Sequence, residues 1–368
     1  MRVCVLSHAY AAPLNHDKLR ALAGLGDLEV TLLTPAWWPT PLGRMQAPTS
    51  ASGYRIIRSR MLLNGHPGAC LYRDAWRALR RARPHVLHAE VEPWSVAALQ
   101  CLLARAAPVV LFTWENLAGP RRRLYRAIER FVLPRVAFVI AGNQAARARV
   151  EALGVPPRRV CVLPQFGVDP TRYTRGNGGA LRARLSLTRP LVGFVGRLVR
   201  EKGVDVLIDA LAPLGAQLLV VGDGPERGAL EHRVAEWPPG RATFAGAVAH
   251  EAVPDYLGAL DVLVLPSRTT STWAEQFGHV LIEAMAAGVP VVGSSSAAIP
   301  EVIGDAGLIF PEGDIGALRA HLCAILSDET LRQALIARGR ARVGRLYANS
   351  VIAAAQRDVY ARVRDGDL

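Results

Sequence analysis

The sequence predicts an α/β protein made of two doubly wound, Rossmann-like domains. Three observations carry this expectation. Short apolar runs alternate with helical stretches through both halves, 368 residues exceed one compact core, and a polar, glycine-rich stretch separates the two series. In the first half the runs are RVCVLSH, LEVTLLTP, HVLHAE, PVVLFT, AFVIAGN and RVCVLPQF. Each is short, apolar and followed by a helical pattern, as parallel strands buried on both faces are. In the second half LVGFVG, AQLLVVGDG, ATFAGAV, DVLVLPS, PVVGSS and GLIFP repeat the scheme. The stretch TRYTRGNGGALRARLSLTRP, with Gly176, Gly178 and Gly179, places the boundary at about residue 180. Residues 1–180 then form the first domain and 181–350 the second, and SVIAAAQRDVYARVR reads as a closing helix within 351–368.

Composition narrows the function. With 51% hydrophobic and 20% charged residues the chain suits a soluble protein with large cores. No run of 18 apolar residues occurs, and MRVCVLSHAY lacks a secretion leader, so a cytoplasmic protein is expected. Cys4, Cys70, Cys101, Cys161 and Cys323 are odd in number and scattered, which predicts free buried thiols and no metal site. The net charge of +13 is uneven: residues 1–180 carry 25 basic against 10 acidic side chains (25 − 10 = +15), and residues 181–368 carry 19 against 21 (19 − 21 = −2). Its densest part is RRRLYRAIERFVLPRV, where Arg121, Arg122, Arg123, Arg126 and Arg130 alternate at helical spacing with Leu124, Tyr125, Ile128, Phe131 and Val132, ahead of Arg135. Such a face either is the solvated side of a core helix or meets an anionic membrane or polyanionic acceptor through residues 121–135. No nucleic-acid recognition module accompanies the charge, so nucleic acid is not an expected partner.

The chemistry is concentrated in WAEQFGHVLIEAMAAGVPVVGS. Gly278 permits a tight turn, VLIEAMAA supplies helix formers, Gly288 ends the helix and VPVVGS reads as the next strand. Backbone N–H groups of Phe277, Gly278 and His279 at the helix start suit a phosphate, with Glu275 beside them and Glu283 about a turn further along. An isolated glutamate pair is usually a solvated helix face; the following AAGVPVV favours a ligand site. Upstream, LVGFVG ends at Gly196, and the next loop carries Arg197, Arg200 and Lys202. Of 44 basic residues only Lys18 and Lys202 are lysine, and a compact ammonium at 202 can follow a leaving phosphate as a point charge.

These segments resemble the retaining GT-B glycosyltransferases of glycosyltransferase family 4, whose signatures EGFGxxxxEAMAxGxPVV and GRLxxxKG they follow. The resemblance implies a GT-B fold, two Rossmann-like domains facing each other across a cleft, with the last helix returning to the first domain. It implies that Glu275 lies against hydroxyls of the transferred sugar and Glu283 binds the nucleotide ribose, while Arg197 and Lys202 meet the charge of the departing diphosphate. Gly222 and Gly224 in GDGPE resemble the GxGP turn, and Phe244, Gly246 and Val248 the FxGxV segment near the base; Pro266 and Ser267 precede the glutamate pair. The first domain departs from the pattern. SHAYAAPLNHDKL has alanines where relatives carry a glycine pair, with Lys18 bringing a charge to the first helix. FTWENL has Trp114, Glu115 and Asn116 where many relatives have histidine, and Trp114 can stack on a sugar. His88, Glu90 and Glu92 in HVLHAEVEPW resemble the acceptor side; each carboxylate reads equally as an exposed loop acid.

The resemblance further implies transfer with retention, no obligatory protein nucleophile, no metal and no cofactor, the nucleotide-diphosphate sugar being co-substrate and a lipid-linked saccharide or glycan hydroxyl the acceptor. The chain's DxD, Asp365 with Asp367, reads as a frayed tail. A hydrolase pair is unsuited to glutamates eight apart beside a phosphate loop. The other readings are a nucleotide-sugar epimerase and a catalytically silent nucleotide-sugar-binding protein.

Overall fold

The computed structural model describes residues 1–40, 43–117, 122–173, 178–187 and 190–368. It divides into two compact units, Met1–Phe166 with Asn349–Leu368, and Gly167–Ala348.

The first unit contains β1 (Arg2–Leu6), β2 (Glu29–Pro35), β3 (Trp37–Thr40), β4 (Gly43–Gln46), β5 (Arg55–Ser59), β6 (Met61–Leu62), β7 (Leu71–Tyr72), β8 (Val86–Glu90), β9 (Val109–Thr113), β10 (Phe138–Ala141) and β11 (Val160–Val162). Seven of these form one parallel sheet in the order β11-β10-β9-β8-β1-β2-β5. Alternate residues of a strand face opposite sides, so Cys4 and Leu6 enter one core while Val3 and Val5 enter another. The helix Asn349–Asp365 closes the second of these cores with Ala353, Val359, Tyr360 and Val363. β5 has no counterpart among the expected runs, because Arg55 and Arg58 bracket only two apolar residues, Ile56 and Ile57.

The second unit contains β12 (Leu191–Val195), β13 (Gln217–Val221), β14 (Ala242–Gly246), β15 (Val262–Leu265), β16 (Val291–Ser294) and β17 (Gly307–Phe310), one strand for each expected run. They form a parallel sheet in the order β14-β13-β12-β15-β16-β17. The winding reverses between β12 and β15. From these two strands the chain continues in opposite directions along the sheet, β12 towards β13 and β15 towards β16, and the gap at their carboxyl ends is where such sheets receive ligands. The chain passes to this unit after Phe166 rather than at about residue 180. The segment that follows Phe166 already packs within the second unit: Val168 bridges Ala348, Tyr173 reaches Glu283 and Arg182 pairs with Asp261. Gly176 lies outside the described residues.

Among the described residues no helix is long and apolar enough to cross a membrane. All five cysteines are free, but only Cys4, Cys70 and Cys101 are buried; Cys161 is half-buried and Cys323 exposed, which corrects the expectation of buried thiols throughout. Cys323 lies on an amphipathic helix, Ile315–Ser327, with Leu318, Leu322 and Ile325 on its inner side.

Candidate active site at the winding reversal of the second unit

The loop after β12 and the loop after β15 meet at this gap. A short 3₁₀ turn, Arg200–Lys202, is held against the second loop by Gly203, which adopts φ +63°. A Cβ at that position would stand 2.1 Å from the Pro266 carbonyl oxygen, so only glycine lets the loops approach this closely. Lys202 Nζ thereby donates to Glu275 Oε2 at 2.5 Å, and Ser267 Oγ donates to the same oxygen at 2.9 Å. Nζ also lies 5.1 Å from the centre of the Trp273 ring. The side chains of Lys202 and Glu275 are 14% and 9% exposed, so the pair is sheltered from solvent and salt.

A cavity of about 310 Å³ opens beside this pair. Gly196, Arg197, Lys202, Glu275, Gly278 and His279 belong to its wall. Arg197 is exposed there, with no hydrogen bond or ion pair to any described residue. The helix His279–Ala286 begins at the cavity, preceded by Gly278 at φ +78°. Its N-terminal end, Arg197 and Lys202 together present positive charge to one space, suited to an anion bearing several phosphate oxygens.

Glu283 lies one turn into the same helix, outside the cavity wall and 5% exposed. Its Oε1 accepts from the Tyr173 hydroxyl at 2.9 Å, with His279 Nδ1 at 3.3 Å and His250 Nε2 at 3.9 Å. Burial pushes this carboxyl up, but the hydrogen bond and charge of His279, the charge of His250 and the Tyr173 hydrogen bond outweigh it, leaving the group below the usual range. Tyr173 and His250 carry no motif; each reaches Glu283 only through the tertiary fold. Trp273, in contrast, stands directly before the glutamate motif.

The remaining donor-side candidates surround this centre without lining it. Pro266 and Ser267 are buried in the loop after β15, Phe277 is buried edge-on against Tyr347, and Val248 is half-buried after β14. Gly222 and Gly224 have a packing reason of their own. A Cβ would meet the Gly196 carbonyl oxygen at 1.9 Å from the first and the Leu198 carbonyl oxygen at 2.3 Å from the second.

The first-unit candidates fall at the equivalent place in their own sheet, between β1 and β8. Lys18 and Glu90, each 2% exposed, form an ion pair. Glu90 Oε2 accepts from Gln165 at 2.9 Å, and Tyr10 donates to Oε1 at 3.2 Å. His88, 1% exposed, meets Gln356 at 2.7 Å and the Tyr360 hydroxyl at 2.8 Å through Nδ1. Glu90 is therefore not an exposed loop acid. Burial, the largest single effect, raises its pKa, but the charges of Lys18 and His88 and the hydrogen bonds from Gln165 and Lys18 together outweigh it, leaving the carboxyl below the usual range. Burial likewise lowers Lys18 and pushes His88 down to about 4. Both lysines of the chain thus pair with a glutamate where a sheet reverses its winding. Trp114 packs over Gly142, where a Cβ would come within 2.0 Å of the ring, and its indole N–H donates to Gln165 at 2.8 Å. Glu115 accepts from the Trp94 indole at 3.2 Å, and Asn116 lies half-buried next to it.

Known proteins match both units. Residues 189–328 match the family described as Glycosyl transferases group 1, and residues 15–165 match the Glycosyl transferase 4-like domain. The chain is 33% identical over 246 residues to 2-deoxystreptamine N-acetyl-D-glucosaminyltransferase of Streptomyces fradiae, covering 63% of this chain and 57% of the relative. It is 28% identical over 312 residues to a GDP-mannose-dependent alpha-(1-6)-phosphatidylinositol monomannoside mannosyltransferase of Mycobacterium tuberculosis, covering 79% of each. The aligned region spans about half the length of several curated relatives, 55% and 50% in two of them. Among solved structures, sucrose-phosphate synthase of Thermosynechococcus elongatus superposes with a TM-score of 0.75 at 23% identity over the whole of both chains. Anabaena HepE in complex with UDP gives 0.74 at 20% identity, over 98% of this chain and all of that one. These neighbours establish the GT-B fold.

Proposed function

We propose that this chain, a GT-B glycosyltransferase by the family matches of both its halves, moves a sugar from a nucleotide-diphosphate donor to an acceptor hydroxyl with retention of configuration. The observation that carries the reading is the Lys202–Glu275 pair, 2.5 Å apart, on the wall of a cavity that Arg197 also lines. In this reading the donor diphosphate lies between Arg197, Lys202 and the start of the helix His279–Ala286. Glu275, held by Lys202 and Ser267, faces the hydroxyls of the sugar, and Glu283 accepts from the ribose.

The bond from the anomeric carbon to the diphosphate oxygen breaks first, leaving an oxocarbenium-like sugar and added negative charge on the phosphate. Arg197 and Lys202 stabilise that charge where it develops, without a metal ion being required. The acceptor oxygen then bonds to the anomeric carbon from the face the diphosphate left, and its proton passes to the departing phosphate oxygen. Positioning and electrostatics therefore account for most of the acceleration.

The acceptor we propose is lipid-linked or a glycan, reached at the inner face of the membrane. Support comes from the helix Arg123–Val132, where Leu124 is 65% and Phe131 40% exposed among Arg122, Arg123, Arg126 and Arg130. Arg121 lies outside the described residues. Exposed apolar side chains framed by arginine suit an anionic bilayer surface. Release of nucleoside diphosphate from a panel of UDP-, GDP- and ADP-sugars, with and without acceptors, tests the activity. Isomerised donor without acceptor would indicate an epimerase, and tight binding without diphosphate release a silent binder.

A further inference from the structure

A second cavity, of about 460 Å³, lies in the first unit at the opposite end of its sheet. It is formed where the chain enters β1, β8 and β9, whereas the ligand-binding loops of such sheets leave the carboxyl ends. Its wall includes Arg2, Trp76, Arg80, Arg83, His85 and Arg105. None of these four arginines forms an ion pair with an acid among the described residues, and the residues outside that description include no Asp or Glu. Four guanidinium groups around one hollow, uncompensated, repel one another and attract an anion.

Backbone geometry adds an independent point. Arg83 ends the helix Ala75–Ala82 with φ +42° and ψ +55°, and Arg105, just after the helix Val96–Leu103, has φ +48°. Helices commonly end in this left-handed conformation on glycine, because a side chain there is disfavoured. Two helices that flank the same hollow both carry arginine instead. The hollow also has fixed donors: Arg2 Nε donates to the Arg83 carbonyl at 2.8 Å, which holds its guanidinium at the rim. His85 Nδ1 accepts the Arg2 backbone N–H at 3.0 Å, which places the ring proton of neutral His85 on Nε2. The Arg80 guanidinium lies 5.1 Å from the centre of the exposed Trp76 ring, giving the site an aromatic wall beside its charges.

We infer that this hollow binds a phosphate-bearing ligand, in a site separate from the donor cavity of the second unit. Planar guanidinium forks match phosphate oxygens in pairs, and Trp76 offers a flat apolar face to whatever carries the phosphate. The inference does not depend on the transferase reading, since it concerns a different unit and different residues.

The experiment is calorimetric titration of the full chain with inorganic pyrophosphate. Wild type is expected to take two equivalents, one in each cavity. The Arg83→Gly, Arg105→Gly double variant is expected to lose one of them, its affinity there falling about 10 to 100-fold, while Lys202→Ala loses the other. Glycine suits both left-handed positions, so the double variant keeps its melting temperature, and loss of binding cannot be ascribed to unfolding. Binding of phosphatidylglycerol vesicles by the same double variant separates the sources. Unchanged vesicle binding with the pyrophosphate site lost identifies a soluble phosphate ligand, and a fall in both identifies a lipid headgroup. If the double variant retains the full pyrophosphate stoichiometry and affinity of wild type, the inference is overturned.

Discussion

Lys202→Ala tests the proposed transfer most directly. The substitution removes a charge that the fold holds in place from three sides, by Glu275 at 2.5 Å, the Trp273 ring at 5.1 Å and the glycine-dependent contact of Gly203 with the Pro266 carbonyl. At 14% exposure the ammonium is screened little by solvent, so it acts on a leaving diphosphate at the strength of a sheltered donor. One such donor, aimed at charge developing in the transition state, contributes roughly 2.7–4 kcal/mol, a fall of about 100 to 1,000-fold in turnover on its removal. Glu275 keeps its hydrogen bond from Ser267, so the fold is expected to survive. The assay is steady-state release of nucleoside diphosphate at saturating acceptor, with kcat and KM for the donor resolved separately. A transition-state role lowers kcat and kcat/KM together, whereas a role confined to donor binding raises KM alone. Turnover within about threefold of wild type, or a defect wholly in KM, would refute the assignment.

Other outcomes follow from the same geometry. Glu283→Gln keeps the shape but removes the charge facing His279 and His250, and is expected to weaken nucleoside diphosphate binding about tenfold, read by calorimetry, with Glu275→Gln lowering turnover while affinity is retained. Glu90→Gln leaves Lys18 charged and buried without its counter-ion, a loss of about 3–5 kcal/mol in urea unfolding, while the paired change Lys18→Met with Glu90→Leu is expected to recover most of it. Equal losses in the single and paired variants would show that the charges do not matter to each other. His88, held near pKa 4 from 6.5 by burial, stays neutral when folded but takes up a proton when unfolded, so its contribution is complete above pH 6.5 and is lost as pH falls towards 4. Urea titrations across that range should show it, and His88→Gln should flatten the slope. Leu124→Ser with Phe131→Ser is expected to reduce sedimentation with anionic vesicles at unchanged melting temperature; undiminished binding would remove this helix from the membrane reading.

The amino-acid sequence alone determined what is local. Six apolar runs of the second half became six strands, since buried parallel strands advertise themselves by composition and length. The turn at Gly278, the helix after it and the neighbouring placement of Arg197 and Lys202 were legible for the same reason: each depends on residues adjacent in the chain. Only the tertiary structure decided what is remote. Tyr173 meets Glu283 across 110 positions and Lys18 meets Glu90 across 72, and neither pairing leaves a periodic trace. Burial turned Glu90 from a loop acid into half of a buried ion pair, and the edge strand β5 emerged only beside β2, whose hydrogen bonds its two isoleucines could not foretell. The arginine hollow is assembled from three chain segments that share nothing but the end of one sheet. Local propensity acts through neighbours in sequence; charge pairing, desolvation and cavity shape act through neighbours in space, which the winding of the sheets alone brings together.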